Sequence, residues 1–269
     1  MASAEELLRQ ADLTAARLDL TEQVRRQPGD PRLRVFLSQL LMVTGEWERA
    51  QTQLGVAAEL DAAAIPMRQM YSDAIRCEQL REEVFAGRKA PMVFGQPDEW
   101  LALLVESLLR FGQEDMSLAA DLSARALDQA PTTPGAIDGA SFEWIADGDM
   151  RLGPVLEAII NGRYYWVPFA QLLQMDIEPP EDLRDFVWIP AHLKFANGGE
   201  SLALLPTRYP GSHADADGAI QLARKTDWRE SRPGFFEGSG QRLFSTDTNE
   251  YPILETRSIV FSAMDPSNG

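Results

Sequence analysis

Residues 31–60 read PRLRVFLSQLLMVTGEWERAQTQLGVAAEL. Gly45 can end one helix, and the small Ala50 lets the next helix pack closely against it. Pro31–Thr44 and Trp47–Leu60 are therefore read as an antiparallel helix pair, with Gly45-Glu46 as the turn. Trp47 follows that turn and is read as a packing residue between the paired helices. The same spacing recurs outward. Asp12 and Ala16 stand one unit earlier, with 34 residues from Ala16 to Ala50. Another 69 residues, two such periods plus one, lead from Ala50 to Ala119. Pro28 and Pro131 each lie 12 residues after their reference alanine, and Ala57 and Ala126 each lie 7 after theirs. A 34-residue period of helix pairs resembles the tetratricopeptide repeat. The match is degenerate: Ala62 replaces the terminal proline of the second unit, and the third unit, around Val84, lacks the small residue.

Up to about residue 130 alanine, leucine, glutamate, glutamine and arginine dominate, and apolar positions recur at helical spacing, as in Leu13, Ala16, Leu20 and Val24. After Pro131-Thr132-Thr133-Pro134-Gly135 the texture changes to short aromatic and β-branched runs separated by glycine, proline and aspartate. The expected division is an all-α, tetratricopeptide-like domain over residues 1–135 and a small α+β domain over 136–269. In the second part Tyr164–Phe169 and Phe186–Ile189 read as strands. Ala191–Phe195 and Ser201–Leu205 flank Asn197-Gly198-Gly199 as a hairpin, with His192 and Lys194 alternating against apolar neighbours. Ile253-Leu254 and Ser258–Phe261 are placed to complete a strongly curved, barrel-like sheet. Gly153–Ile160 is assigned to a short helix. Residues 211–219 and 230–240, rich in glycine, serine and charge, are assigned to mobile loops.

The chain has 269 residues, 41 acidic and 25 basic, for a net charge of −16, and a pI near 4.6. The acid excess is divided evenly between the two parts, as on a solvated surface rather than a tail. Such a field disfavours nucleic acid. The most apolar stretch, Leu101–Leu109, is short and contains Glu106, so no membrane span is expected. The N-terminus has no signal-peptide character. The lone Cys77 excludes an intrachain disulfide and suits a reducing compartment, which points to the cytoplasm.

Catalytic motifs are scarce. The histidines are His192, on a strand surface position, and His213, within GSHADADG (211–218). That run lacks the further oxygen ligands and terminal glutamate of a calcium loop. Neither a Gly-x-Ser-x-Gly elbow nor a Walker loop is present. Cys77 sits amid helical residues and reads as structural. Trp100 and Trp228 read first as core residues, with an interface anchor as the alternative.

The second part carries specific motifs: FEWIADGD (142–149), RLGP (151–154), EAIINGRYYWVPF (157–169), PEDLRD (180–185), WIPA (188–191), PTRYP (206–210) and GQRLF (240–244). Together they resemble the ImpE family, also called TagJ or SciE-type, which accompanies bacterial type VI secretion. The resemblance runs from the helical part nearly to the C-terminus. It implies a non-enzymatic accessory role, with the N-terminal helix of the sheath small subunit TssB and the ClpV-type AAA+ ATPase as partners. It implies no cofactor, metal or catalytic residues, and it leaves the partner-binding residues open. The competing reading is a hydrolase or transferase using Asp147, Asp149, Arg151 and Arg208 in the C-terminal part. A turn braced by an arginine–carboxylate pair is the simpler account of Asp147-Gly148-Asp149 and Arg151. A general chaperone-like repeat protein is a third reading, against which the specific C-terminal motifs argue.

Overall fold

The computed structural model describes residues 2–96 and 98–262. Seven helices come first: α1 (Ala4–Arg9), α2 (Leu13–Arg26), α3 (Pro31–Val43), α4 (Trp47–Leu60), α5 (Ile65–Phe85), α6 (Glu99–Gly112) and α7 (Met116–Gln129). Helices α3 and α4 are the pair read from residues 31–60, and α6 packs against α7 in the same way. The turns α1–α2, α3–α4 and α6–α7 repeat one geometry. Ala11, Gly45 and Glu114 adopt positive φ. The next residue's N–H then bonds back to a carbonyl five residues earlier: Asp12 to Leu7 at 2.9 Å, Glu46 to Leu41 at 2.8 Å and Asp115 to Arg110 at 3.1 Å. This six-to-one bond satisfies a helix-end carbonyl. Asp12 and Asp115 then cap the following helices. Four residues on from each such turn, Ala16, Ala50 and Ala119 are fully buried. The period breaks after α5. Where a second helix of that unit would lie, the chain runs extended through β1 (Met92–Val93) alongside a strand of the sheet.

The rest is sheet-rich. Its strands are β2 (Gly135–Ile137), β3 (Ala140–Phe142), β4 (Ile145–Asp147), β5 (Val155–Ile160), β6 (Arg163–Pro168), β7 (Leu172–Ile177), β8 (Trp188–Phe195) and β9 (Glu200–Pro206). After the short helix α8 (Gly218–Gln221) come β10 (Thr226–Arg232), β11 (Phe235–Gly240), β12 (Leu243–Thr246), β13 (Glu250–Pro252) and β14 (Ser258–Phe261). Nine strands form one sheet in the order β1-β6-β5-β9-β8-β7-β14-β2-β3, antiparallel throughout except for β1 on β6. A three-stranded sheet, β13-β12-β4, and the hairpin β10-β11 complete the fold.

The protein is thus α+β, helical first and sheet-rich after. The helices cover one face of the sheet, where Tyr164, Trp166, Trp188 and Leu204 join the helical core. The other face carries a second core of Leu156, Phe169, Ile189, Leu193 and Leu205, and Phe244 of the small sheet packs on it.

Several expectations are corrected. The large sheet is open, with β1 and β3 as unjoined edges, so it is not a barrel. Residues 153–160 form no helix: Val155–Ile160 is β5, buried on both faces, which erases the alternation that marks a half-buried strand. Residues 230–240 belong largely to the β10–β11 hairpin; β10 buries neither face, so it too lacks periodicity. Residues 211–219 hold a 3₁₀ turn (Ser212–Ala214) and the start of α8. Trp47 is buried as expected, but its neighbours are across the chain: Trp188 at 5.9 Å and His213 at 5.6 Å between ring centroids. Its indole N–H donates to Glu82 at 3.1 Å.

Gly45 has φ +71°, and a Cβ built there would lie 2.3 Å from His213 Cδ2. Gly45→Ala is expected to destabilise the protein by about 1–3 kcal/mol, from the left-handed backbone and the overlap together. Adding His213→Ala should recover only the overlap part. Urea denaturation of the two single variants and the double variant checks this; strictly additive effects would mean that the two residues do not touch.

Candidate functional site

The polar residues singled out in the sequence lie in the interior, and three of them meet. Asp147, at the end of β4, accepts the Asp149 N–H at 2.8 Å. Asp149 accepts from the Arg151 N–H and Nε, each at 2.9 Å, from Arg151 Nη2 at 2.5 Å and from the Gly238 N–H at 3.0 Å. This is a braced turn, the simpler of the two readings. Arg151 also lies 3.4 Å from Glu237 and covers the Phe85 ring.

Arg208 stands apart. Its buried guanidinium donates to the carbonyls of Val43 at 2.7 Å and Gln221 at 2.5 Å, at the ends of α3 and α8. It has no carboxylate partner within salt-bridge distance among the described residues. Helix C-terminal carbonyls carry partial negative charge and offset part of its desolvation. Burial still pushes Arg208 down to about 10, resisted by Glu78 and aided by Arg81.

The centre of the interior network lies on residues that the sequence reading missed. Arg81 of α5 forks onto Glu157 of β5, at 2.7 Å through Nε and 2.8 Å through Nη2. Its other donors reach Glu78 and the Arg208 carbonyl, each at 2.8 Å. Arg242 bonds both Glu157 and Asp147, and the Tyr164 hydroxyl donates to Glu157. The indole of Trp166 donates to the Tyr164 oxygen at 2.8 Å, and that of Trp188 to Glu78 at 3.0 Å. Burial would raise Glu157, but Arg81 and Arg242 overcome it and hold the carboxyl at about 2. Asp147 has only Arg242 as counter-charge; burial, with Asp149 and Glu157 nearby, pushes it up to about 7.

The carboxyl groups of Asp147, Asp149 and Glu157 are engaged by the protein's own donors and are essentially inaccessible to solvent. The arrangement holds helices to sheet and turn to hairpin. His192 lies on the sheet beside Glu200, with 3.4 Å from Nε2 to the carboxylate. Cys77 is buried, and burial raises its thiol to about 11, as for a packing residue. Among the described residues no group of three or more histidines, cysteines or carboxylates is placed to hold a metal ion. Among them, too, no helix is long and apolar enough to cross a membrane.

Open surface lies elsewhere. The inner side of the helices is occupied by the sheet: Trp188 stacks on Tyr71 at 6.2 Å, Trp166 lies 6.0 Å from Phe85, and Arg184 of a 3₁₀ turn covers Tyr71. One cleft of about 320 Å³ lies between α3 and the start of α5, lined by Val35, Phe36, Ala64 and Met67, and another of about 420 Å³ is lined by Pro210, Asp227, Trp228 and Arg229. A third, of about 400 Å³, is lined by Met70, Ile159, Pro190 and Leu202. A polar cleft of about 490 Å³ lies between the α1–α2 and α3–α4 turns, with Arg17, Glu46 and His213 in its wall.

Comparison with known proteins gives consistent results. A family model described as ImpE protein matches residues 139–260. The type VI secretion system accessory component TagJ of Pseudomonas aeruginosa is 50% identical over 262 residues, covering 97% of this chain and 92% of that protein. An X-ray structure of a Vibrio parahaemolyticus protein matches with a TM-score of 0.89 at 23% identity over 99% of both chains, a likeness of fold.

The two carboxyls impose opposite pH effects. Glu157 is lowered from 4.5 to about 2, so its contribution to stability is complete above about pH 4.5 and is lost as pH falls toward 2. Asp147 is raised from 3.8 to about 7, so its contribution is complete below about pH 3.8 and is lost as pH rises through 7. Asp147→Asn should flatten the loss of stability between pH 4 and pH 7. Glu157→Gln should shrink the acid limb and cost about 3–5 kcal/mol near neutrality, because two buried arginines lose their shared counter-ion. Denaturant midpoints measured across this range test both; an unchanged slope in Asp147→Asn would assign that titration to another group.

Proposed function

The chain belongs to the ImpE (TagJ) family, and on that premise we propose that it is an accessory component of a bacterial type VI secretion system. The observation that carries this reading is 50% identity, spanning nearly the whole of both chains, to a protein named as such a component. In this reading the protein is a cytoplasmic, non-enzymatic adaptor. It captures the N-terminal helix of the sheath small subunit TssB and assists sheath disassembly linked to the ClpV-type ATPase.

The helical part, residues 1–135, acts as a tetratricopeptide-like unit, and residues 136–269 brace it. Capture of an amphipathic helix needs an apolar groove that takes side chains at helical spacing. The sheet fills the inner side of the helices, and the apolar lining of the cleft between α3 and α5 supports docking of the partner helix in that cleft. Its Met67 is flexible and adapts to the side chain it meets. The adaptor effect itself is one of effective concentration: a tethered sheath subunit meets its ATPase more often.

A fluorescent peptide of the TssB N-terminal segment is expected to bind saturably. Changing its apolar face to serine should abolish binding. Because the net charge is −16, basic residues on the peptide should speed association, and added salt should slow the on-rate more than it weakens affinity. Val35→Glu should reduce affinity at least tenfold if the α3–α5 cleft is the site. Equal binding by the serine peptide would overturn the helix-in-groove mechanism. A pulldown from a secretion-competent lysate that recovers neither sheath nor ATPase would overturn the adaptor role.

A further inference from the structure

Strand β10 is the longest edge strand among the described residues, and it pairs with β11 alone. The far side of β11 is already engaged: the Phe236 carbonyl accepts from the Met150 N–H at 3.1 Å, and the Gly238 and Gly240 N–H groups donate to Asp149 and Ser212. The open edge is therefore that of β10. Asp227, Trp228, Arg229 and Glu230 are all exposed along it. An unpaired edge of this length is a template for another strand unless something blocks it.

Its regular part is short and centred. Pairing with β11 is in step from Thr226 to Glu230, and a bulge follows between Glu230 and Arg232. The middle residue of the regular run is Trp228. Its ring leans on Tyr209, with 5.5 Å between centroids, and sits over Gly148, where a Cβ would come within 2.6 Å of it. Even so it remains 37% exposed.

We propose that β10 pairs, antiparallel, with β10 of a second copy of this chain, about a two-fold axis through Trp228. A two-fold axis normal to the strands keeps each face on its own side, so one residue must stand opposite itself. Centring on Trp228 sets the two indoles side by side and places Asp227 opposite Arg229 of the second copy, twice over. Thr226 then faces Glu230. Arg229 already bonds Glu237 of its own hairpin at 2.6 Å, so each rung runs Glu237, Arg229, Asp227 with alternating sign. Lys225 holds Asp227 from its own strand at 3.1 Å. Aromatic pairs and opposite charges directly across an antiparallel pair both favour association.

The registers one residue to either side, and the one centred on Glu230, are disfavoured by the same side chains. Centring on Asp227 opposes two aspartates, centring on Arg229 two arginines, and centring on Glu230 two glutamates. Centring on Thr226 opposes Lys225 and Asp227 without a clash but joins only the ends of the two strands, so the register on Trp228 is the one that combines overlap of β10 with opposite charges. The joined hairpins make a four-stranded sheet, β11-β10-β10-β11, with no free edge at its centre. The interface is small, so association is weak and concentration-dependent.

Sedimentation velocity of the full chain, up to about 0.5 mM, tests this. The mass should rise from that of one chain, 29.9 kDa, toward twice that value. Asp227→Arg and Arg229→Asp, made separately, each put like charges across the two-fold axis and should each stay monomeric. The first variant carries positive charge at both positions, and the second carries negative charge at both. Mixed in equal amounts they therefore present complementary edges, and should associate at least as well as the unmodified chain. Both positions are exposed, and circular dichroism confirms that each variant is folded. An unmodified chain that is monomeric at every concentration overturns the proposal. So do single variants that associate like the parent, or a mixture that stays monomeric.

Discussion

The Glu157 carboxylate, held between Arg81 and Arg242, is the contact on which the position of everything else depends. Arg81 comes from α5, Glu157 from β5 inside the large sheet, and Arg242 from the entry to the small sheet. Apolar faces attract without direction, and a helix layer on a sheet can slide by a residue at little cost in buried area. A forked guanidinium on a carboxylate has one geometry, so it fixes where α5 lies along β5. Lysine could not make the same two bonds. Burying these charges is costly, and replacing the whole set with apolar groups of equal volume would not necessarily weaken the fold. Removing one member leaves the others uncompensated, and this makes the set interdependent.

The interior charges are nearly in balance, and the imbalance has an address. Arg81, Arg151, Arg208 and Arg242 face Glu78, Asp147, Asp149, Glu157 and Glu237. Arg208 spends its donors on helix-end carbonyls, which leaves three buried arginines for five carboxylates, with Glu237 drawing also on the exposed Arg229 at 2.6 Å. Glu157 has two of them and the Tyr164 hydroxyl, and Asp149 has Arg151 with two backbone N–H groups. Asp147 is left with a share of Arg242 already committed to Glu157. A carboxyl with half a counter-ion in a dry site keeps its proton longest, which is the direction seen for Asp147.

The helices were legible because each obeys a local rule. Gly45 ends α3, Ala50 starts the close packing of α4, and the 34-residue step from Ala16 is written in the chain itself. The Asn197-Gly198-Gly199 hairpin was legible for the same reason, since β8 has one wet face. Strand β5 was not, because a strand buried on both sides has no alternation to show. Strand β10 was hidden for the converse reason: both its faces are wet. Glu157 reads as an ordinary surface glutamate, and its partners Arg81 and Arg242 lie 76 and 85 residues away in sequence. No spacing rule connects them. Asp147, Asp149 and Arg151 were found because they are neighbours in sequence, and for the same reason they form a turn rather than the centre of the network. Trp47 was legible as buried but not as a contact with Trp188, because its partner comes from the other part of the chain.

Helical repeats commonly flex, because each unit touches only its neighbours. Here the segment from Thr207 to Arg224 crosses the α3–α4 turn and then the α1–α2 turn and ties both to the sheet-rich part. Arg208 holds the end of α3, and His213 fills the space beside Gly45. Gly218 lies so close to the Ala11 carbonyl that a Cβ would come within 2.0 Å of it, and Arg224 donates to the Arg9 carbonyl at 3.0 Å. The same Ala11 and Gly45 turns that give the array its period are the places where it is tied down. These contacts hold the clefts beside the two turns in shape. Preformed clefts lower the ordering cost of binding, and the exposed apolar surface nearby includes Met70 at the start of α5 and the adjoining Leu202. The turns that repeat along the helices and the contacts that join them to the sheet-rich part fall, in this fold, at the same places.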